Sequence, residues 1–471
     1  MISVRGFQGK RIAVFGLART GLTAARALMA GGAEVACWDE KASAQEAARA
    51  EGLPVVDLSA ADWSRFDALL LSPGVPLTHP QPHWTAERAR AAGVEIIGDV
   101  EVFARTVAAA EPGQRPKVCV ITGTNGKSTT TALLGHICRE AGKDAQVGGN
   151  IGLGVLGLEE MHAGAVYVLE LSSYQLDLTH SLKADAAALL NITPDHLDRH
   201  GGMDGYVAAK RRVFQNQGKG DTAVISVDDP YCQAICTELM SANRRTIRPI
   251  SAGRAISKGV YALQGLLYDA TADRTAEIAD LARAPSLQGR HNWQNAAAAY
   301  ACAIALGIHP DTVADALQSF PGLAHRMENI GAIGKVRFVN DSKATNADAA
   351  RQAMSAIPRF RWIAGGVAKA GGIEPLADLF GRVSKAYLIG EAADDFAATL
   401  AGKAEVMRCG DLAAATAAAF RDAQASGEDE VVLLSPACAS FDQFSDFEAR
   451  GEAFRAAVMS LGEVAPRSAA G

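Results

Sequence analysis

No apolar run in this 471-residue chain approaches the ~18 residues that a membrane-spanning helix needs. The opening residues, Met1-Ile2-Ser3-Val4-Arg5, lack the apolar core of a signal peptide. A surplus of cations is missing too: 46 Lys and Arg stand against 52 Asp and Glu, a net charge of −6. General affinity for nucleic acid, which depends on cations displacing phosphate counterions, is therefore not expected. A phosphate-rich ligand must instead be held by local cations and backbone amides. The eight cysteines follow no metal-ligand spacing. Only Cys232 and Cys236 lie close together, with no His or second Cys pair nearby to complete a zinc site. Such usage fits a reducing compartment, so a cytoplasmic protein is expected. No sequence repeat is visible.

What the chain does have is a rhythm. Short apolar runs end in small or polar residues and alternate with alanine-rich helical stretches. Arg11–Phe15, Glu34–Trp38, Ala68–Leu71, Lys117–Thr122, Val166–Leu169 and Ala187–Ile192 are such runs, followed by Val336–Val339, Trp362–Ala364, Tyr387–Ile389 and Val431–Leu434. Runs of this kind predict parallel sheets covered on both faces, an α/β fold in which ligands bind beyond the carboxyl ends of the strands. The length suits three domains of ~150 residues. Breaks after Gly98 and near Phe320-Pro321-Gly322 give 1–98, 99–322 and 323–471. Ser251–Pro285 is expected to be an irregular strand-rich insert, and the polar tail from Glu463 is expected to be disordered.

The segment Gly123-Thr124-Asn125-Gly126-Lys127-Ser128-Thr129 follows an apolar strand and opens a helical stretch. Glycines let backbone amides turn toward an anion, and a helix N-terminus adds positive potential. Lys127 is placed to reach terminal phosphates and Ser128 to meet Mg²⁺, so ATP binding is expected. The general pattern would put its first glycine at position 121, where this chain has Ile. Downstream, Glu170 ends the next run and is a candidate Mg²⁺ ligand, since hard cations take oxygen donors. The following Ser172 and Ser173 suit helix capping.

Near the N-terminus, Gly16-Leu17-Ala18-Arg19-Thr20-Gly21 and Asp39 mimic a dinucleotide fingerprint, but Ala18 replaces the glycine that admits a pyrophosphate closely. A UDP-linked group fits this turn better than a nicotinamide cofactor. Gly74 in Ser72-Pro73-Gly74-Val75-Pro76 is a candidate further wall of the same site.

Several stretches in this order resemble the Mur ligase family, which builds the peptide stem of bacterial cell-wall precursors. They are the phosphate loop, Gly148-Gly149-Asn150-Ile151-Gly152, Glu170–Gln175, Asn191–His200, Gly289–Asn295, His325-Arg326-Met327-Glu328, Asp341-Ser342-Lys343-Ala344-Thr345-Asn346 and Ser435-Pro436-Ala437-Cys438-Ala439-Ser440. The last two are similar to members that add D-glutamate. The resemblance implies a UDP-binding domain, a central ATPase and a C-terminal domain closing over ATP; a monomer is expected. It also implies an amide ligase that joins D-glutamate to UDP-N-acetylmuramoyl-L-alanine through an acyl phosphate, with ATP and two Mg²⁺ ions.

Carried over residue by residue, Lys127, His196 and Lys210 are catalytic, and Ser128, Glu170, His196 and Lys210 serve the metal. Lys210 would be carbamylated; by itself the sequence makes it a solvated helix lysine. Asn292, Asn295, Arg326, Asp341 and Lys343 join the phosphate loop in binding ATP, and Asn292 also suits helix capping. Gly16, Arg19, Thr20, Asp39, Gly74 and Asn150 would contact the UDP substrate, and Thr345, Lys369, Ser440 and Phe447 would hold D-glutamate. The lysine loop, Gly365-Gly366-Val367-Ala368-Lys369, departs from the family's acidic spelling. A sister ligase using another amino acid, a nicotinamide dehydrogenase and a non-enzymatic nucleotide-sensing switch stay open.

Overall fold

The computed structural model describes residues 1–111, 113–369 and 371–465. Pro112 of the expected linker and residues 466–471 of the expected tail lie outside them. The chain forms two compact units, Met1–Pro321 and Gly322–Gly471.

The first unit holds two sheets. One is wholly parallel, with strands β1 (Arg11–Phe15), β2 (Glu34–Trp38), β3 (Ala68–Leu71) and β4 (Glu95–Ile97) in the order β2-β1-β3-β4. The larger contains β5 (Lys117–Thr122), β6 (Asp144–Gly149), β7 (Ala165–Glu170), β8 (Ala186–Leu189), β9 (Thr222–Ser226) and β10 (Thr246–Ser251). It continues through β11 (Val260–Leu263), β12 (Leu266–Asp269) and β13 (Ala276–Asp280), in the order β13-β12-β11-β10-β9-β8-β5-β7-β6. β12 and β13 run antiparallel, so the expected strand-rich insert prolongs the parallel central sheet. Side chains alternate across a strand, and β5 shows the consequence. Val118 and Val120 enter one apolar core, while Cys119 and Ile121 enter the other. The first of these cores also takes in Ile12, Val14 and Leu70 of the smaller sheet, so one apolar interior joins both sheets.

A polar latch reinforces that join. Glu101, in the helix Asp99–Ala108, is fully buried and accepts the N–H groups of His180 (2.7 Å) and Ser181 (2.9 Å), the Ser181 hydroxyl (2.8 Å) and Arg105 Nε (2.9 Å). Burial works against its charge, but the Ser181, His180 and Arg105 donors outweigh it and hold the carboxyl below its ordinary range.

The second unit is a six-stranded sheet of β14 (Glu328–Ile333), β15 (Val336–Asn340), β16 (Phe360–Gly365), β18 (Val383–Ile389), β19 (Val406–Gly410) and β20 (Glu430–Leu434), in the order β14-β15-β20-β16-β18-β19. Only β14 is antiparallel. Beyond its strand ends, β17 (Val367–Ala368) pairs antiparallel with β21 (Cys438–Ala439). The expectation of disorder from Glu463 needs correction: Ala465 pairs with Ala332 through two backbone hydrogen bonds, because the edge strand β14 offers it unpaired donors and acceptors. No helix among the described residues is long and apolar enough to cross a membrane.

Replacing Glu101 with Ala leaves the His180 and Ser181 amides and Arg105 without their buried acceptor. A loss of about 3 kcal/mol is expected, visible in calorimetry as an earlier unfolding transition. An unmoved transition would show that the latch contributes nothing.

Candidate active site

The phosphate loop bridges β5 and the helix Lys127–Glu140, whose N-cap, Gly126, has φ 84°. A Cβ there would stand 2.2 Å from Asn295 Oδ1, so only glycine fits. The loop is stitched to the segment after β8. Thr124 N donates to Asn191 O (2.9 Å), and Asn125 N donates to Asn191 Oδ1 (2.8 Å). The Thr124 hydroxyl lies 3.1 Å from Thr193 O and 3.0 Å from the Tyr206 hydroxyl. With those two amides engaged, an anion is left to the first turn of the helix, whose N–H groups have no intrahelical acceptor.

Asn295, 2% exposed, lies beneath this loop; Thr130 Oγ1 donates to its Oδ1 (3.2 Å), and its Nδ2 donates to Asn292 Oδ1 (3.1 Å). It props the loop from inside. Capping by Asn292 is not observed. The cap of the helix Arg290–Ala305 is Gly289, and Asn292, inside the first turn, donates back to Gln288 O (3.0 Å).

Glu170 ends β7 opposite Ile121 and Gly149. It is 2% exposed; Oε1 accepts Asn150 Nδ2 (2.9 Å), while Oε2 is buried with no hydrogen-bond partner. Asn150, expected at the UDP substrate, is thus attached to the candidate metal carboxylate. Ser172 caps its helix as expected, its Oγ accepting Gln175 N at 3.2 Å.

Lys210 is the largest departure from a sequence-only reading. It is 2% exposed, not solvated, and its Nζ donates to Gly123 O (2.7 Å) and lies 4.8 Å from the Tyr206 ring centroid. Burial, and then the charge of Lys127, pull its pKa down to about 7, against weaker pulls from Asp195, Cys232 and Glu170. His196 has φ 53° and lies beside Tyr174 (4.9 Å between rings). Burial depresses its pKa, Asp195 opposes the shift, and Lys127 and Lys210 add to it. Lys127 and Lys210 are thus near enough to His196, and to each other, for their charges to act on one another.

In the smaller sheet, Gly16 has φ 91° and abuts Ser72, whose hydroxyl donates to Gly16 O (2.7 Å). A Cβ on Gly21 would lie 1.8 Å from Gly16 O, so both glycines serve close packing. Asp39 accepts Leu17 N (2.7 Å) and Lys41 N (2.9 Å) and so clamps the turn that carries exposed Arg19 and half-buried Thr20. Arg199 ties this region to the central sheet, with Nη1 donating to Gly74 O (3.0 Å) and its guanidinium 4.7 Å over the Tyr174 ring.

In the second unit, Arg326 stands between His325 (φ 61°) and Met327 (φ 47°), in a turn held because Met327 N donates to Asp341 Oδ1 (3.2 Å). Asp341 also accepts the Ser435 hydroxyl (2.8 Å); burial raises its pKa to about 7. Lys343 Nζ lies 5.6 Å from the Phe447 ring centroid. Thr345 is half-buried, Ser440 buried and Lys369 exposed. The antiparallel β17–β21 ladder, with Val367 opposite Ala439 and Ala368 opposite Cys438, ties the segment before Lys369 to the segment before Ser440, the two residues leaving it at opposite ends.

Two family models match: the Mur ligase middle domain over residues 121–303 and the Mur ligase, glutamate ligase domain over 325–438. Over 469 residues, and the full length of both chains, the sequence is 72% identical to the UDP-N-acetylmuramoylalanine--D-glutamate ligase of Caulobacter sp. (strain K31). The enzyme of the same name from Nitrobacter hamburgensis is 52% identical over 99% of this chain and 100% of its own. The chain belongs to the Mur ligase family. Among solved structures, the UDP-N-acetylmuramate-alanine ligase of Thermotoga maritima shares the fold at TM-score 0.56 and 18% identity, covering 96% of this chain and all of that one. A MurF structure from Acinetobacter baumannii also has TM-score 0.56, at 21% identity over 78% and 82%.

Mur ligases use ATP and Mg²⁺. The residues present suit that ion: Glu170 supplies a buried, unpartnered carboxylate oxygen, and Ser128 lies in the first turn of the helix that follows the phosphate loop. Among the described residues no three His, Cys, Asp or Glu form a cage; Mg²⁺ is ordinarily held by one or two carboxylates plus substrate phosphates. Sequence reasoning on this Mur ligase assigned no role to Asn191, Tyr206, Arg199 or Arg450. Tyr206, one helical turn before Lys210, was the detectable one.

In CO₂-free buffer the Lys210 amine should titrate near pH 7 by lysine-selective NMR, against about 10.4 for an ordinary lysine. Because the folded amine holds its proton more weakly than the unfolded one, the destabilisation is complete below pH 7 and fades toward pH ~10.4. Wild type should therefore gain stability relative to Lys210→Met as pH rises through that window; a constant difference would contradict the shift.

Proposed function

We propose that this Mur ligase joins D-glutamate to UDP-N-acetylmuramoyl-L-alanine, consuming ATP, as a cytoplasmic monomer in peptidoglycan precursor synthesis. The single observation carrying the chemistry is the convergence of Lys127, Lys210 and the unpartnered Glu170 oxygen on the phosphate loop. The choice of amino acid rests on the names of the relatives at 52–74% identity and on the two stretches around Lys343 and Ser440.

A carboxylate is a poor electrophile and needs phosphate as its leaving group. Phosphoryl transfer is mainly positioning and charge neutralisation. The Gly123–Thr129 loop offers the ATP phosphates the first turn of its helix, with Lys127 on the terminal ones. Ser128, Glu170, His196 and a carbamylated Lys210 would hold two Mg²⁺ ions, which supply charge neutralisation when bound. An amine with a pKa of about 7 is substantially neutral at physiological pH, the form that attacks CO₂. Uncharged His196 is suited to orient the reacting carboxylate.

Gly16, Arg19, Thr20, Asp39, Gly74 and Asn150 form the UDP-substrate site, with Asp39 and Asn150 acting through the loop and carboxylate they hold. Arg326, Asp341 and Lys343 serve the nucleotide, as do Asn292 and Asn295, the latter by bracing Gly126. Thr345, Lys369, Ser440 and Phe447 receive D-glutamate, whose free amine attacks the acyl phosphate and expels phosphate. The corresponding domains are 1–98 for the UDP substrate, 99–322 for ATP hydrolysis chemistry and 323–471 for the amino acid.

Phosphate release from ATP should require both UDP-N-acetylmuramoyl-L-alanine and D-glutamate. Release indifferent to D-glutamate, or restored equally by L-alanine, would reject the assignment. Lys210→Ala should lose roughly 10²–10³-fold in rate and recover partly with formate or acetate. An unrescued variant would count against the carbamate.

A further inference from the structure

Arg450 is a buried cation whose charge no carboxylate cancels. It sits in the helix Phe447–Ser460, 1% exposed. Its Nε donates to the Ser342 hydroxyl (3.0 Å), and its Nη2 donates to Ser342 O (2.9 Å) and Cys438 O (3.0 Å). All these acceptors are neutral, and Nη1 is buried with no partner. Asp442 is the nearby acid, but its Oδ2 accepts Glu391 N at 3.1 Å instead. Burying a guanidinium without a counter-ion is expensive, and folded proteins ordinarily supply one.

The position of the charge suggests what completes it. Ser342 precedes Lys343, Cys438 lies in the ladder leading to Ser440, and Phe447 begins Arg450's own helix; Phe447 O accepts the Ser342 hydroxyl at 2.8 Å. Nη1 faces Gly366, where a Cβ would stand 3.3 Å from it and 2.3 Å from Ala439 O, so β17 passes directly over the guanidinium. Lys369 follows three residues later. One side chain therefore fastens the Ser342 and Cys438 segments to its own helix beneath Gly366, at the roots of the stretches that carry Thr345, Lys369, Ser440 and Phe447.

We propose that Arg450 is a positioning residue of the amino-acid receptor: it locks the Ser342 and Cys438 segments to its own helix beneath Gly366 and gives the receptor a permanent positive potential that selects a dicarboxylate. This rests on the proposed D-glutamate reading of that receptor. The effect is electrostatic and geometric, without contact between Arg450 and the amino acid.

The test is steady-state kinetics of full-length Arg450→Met and Arg450→Lys, varying D-glutamate, ATP and the UDP substrate in turn, with thermal unfolding as a check on folding. Arg450→Met should raise the KM for D-glutamate ~10-fold or more and leave the KM for the UDP substrate within about twofold. Arg450→Lys, which keeps the charge, should show a smaller rise. If Arg450→Met does not fold, Arg450→Lys carries the test through its selective KM rise. Equal changes in all three KM values, or a lowered unfolding temperature with unchanged KM values, would overturn the proposal. Wild-type phosphate release that ignores D-glutamate would overturn the underlying assignment first, and this inference with it.

Discussion

Beneath the phosphate loop, the Lys210 ammonium donates to the Gly123 carbonyl from a site that water scarcely reaches. A cation in that position is poorly solvated and repelled by Lys127, which favours a neutral amine, a modified group or the company of an incoming anion. The neighbouring geometry follows from that constraint. Asn191 holds the loop backbone in place, Asn295 fills the space that a side chain on Gly126 would need, and Tyr206 covers the Lys210 amine while touching Thr124. These contacts hold the loop backbone in a defined shape without a nucleotide, which lowers the ordering that binding must impose.

The same physics separates working cations from structural ones in the second unit. Lys385 lies 2.8 Å from both Glu405 and Asp422, and Arg361 lies 2.9 Å from Glu430; these charges are neutralised within the fold. Arg450 is bound only by a hydroxyl and carbonyls. Uncancelled charge is costly to fold around, and it is also what an anionic ligand can exploit.

The α/β character was legible because β5, β7, β8 and β20 are buried on both faces and therefore read as continuous apolar runs. Edge strands gave weaker signals. β6 reads Asp-Ala-Gln-Val-Gly-Gly and β19 reads Val-Met-Arg-Cys-Gly, each paired on one side only, where polar residues and glycines are tolerated. The run Ala187–Ile192 predicts one strand, yet pairing stops at Leu189. Beyond it the backbone of Asn191 is needed by the phosphate loop.

Local chemistry is written in the chain order: a glycine-rich turn before a helix, an acid at a strand end and a capping serine each follow from residues a few positions apart. By itself the sequence thus determined the α/β class, the phosphate loop and the strand-end position of Glu170. Burial is not local. Whether Lys210 faces water, whether Asp39 and Asn295 meet a ligand or brace a loop, and whether Arg450 finds a carboxylate depend on segments as far as 165 residues away. Only the tertiary structure decided those points, because a side chain's charge and hydrogen bonds are set by what packs against it.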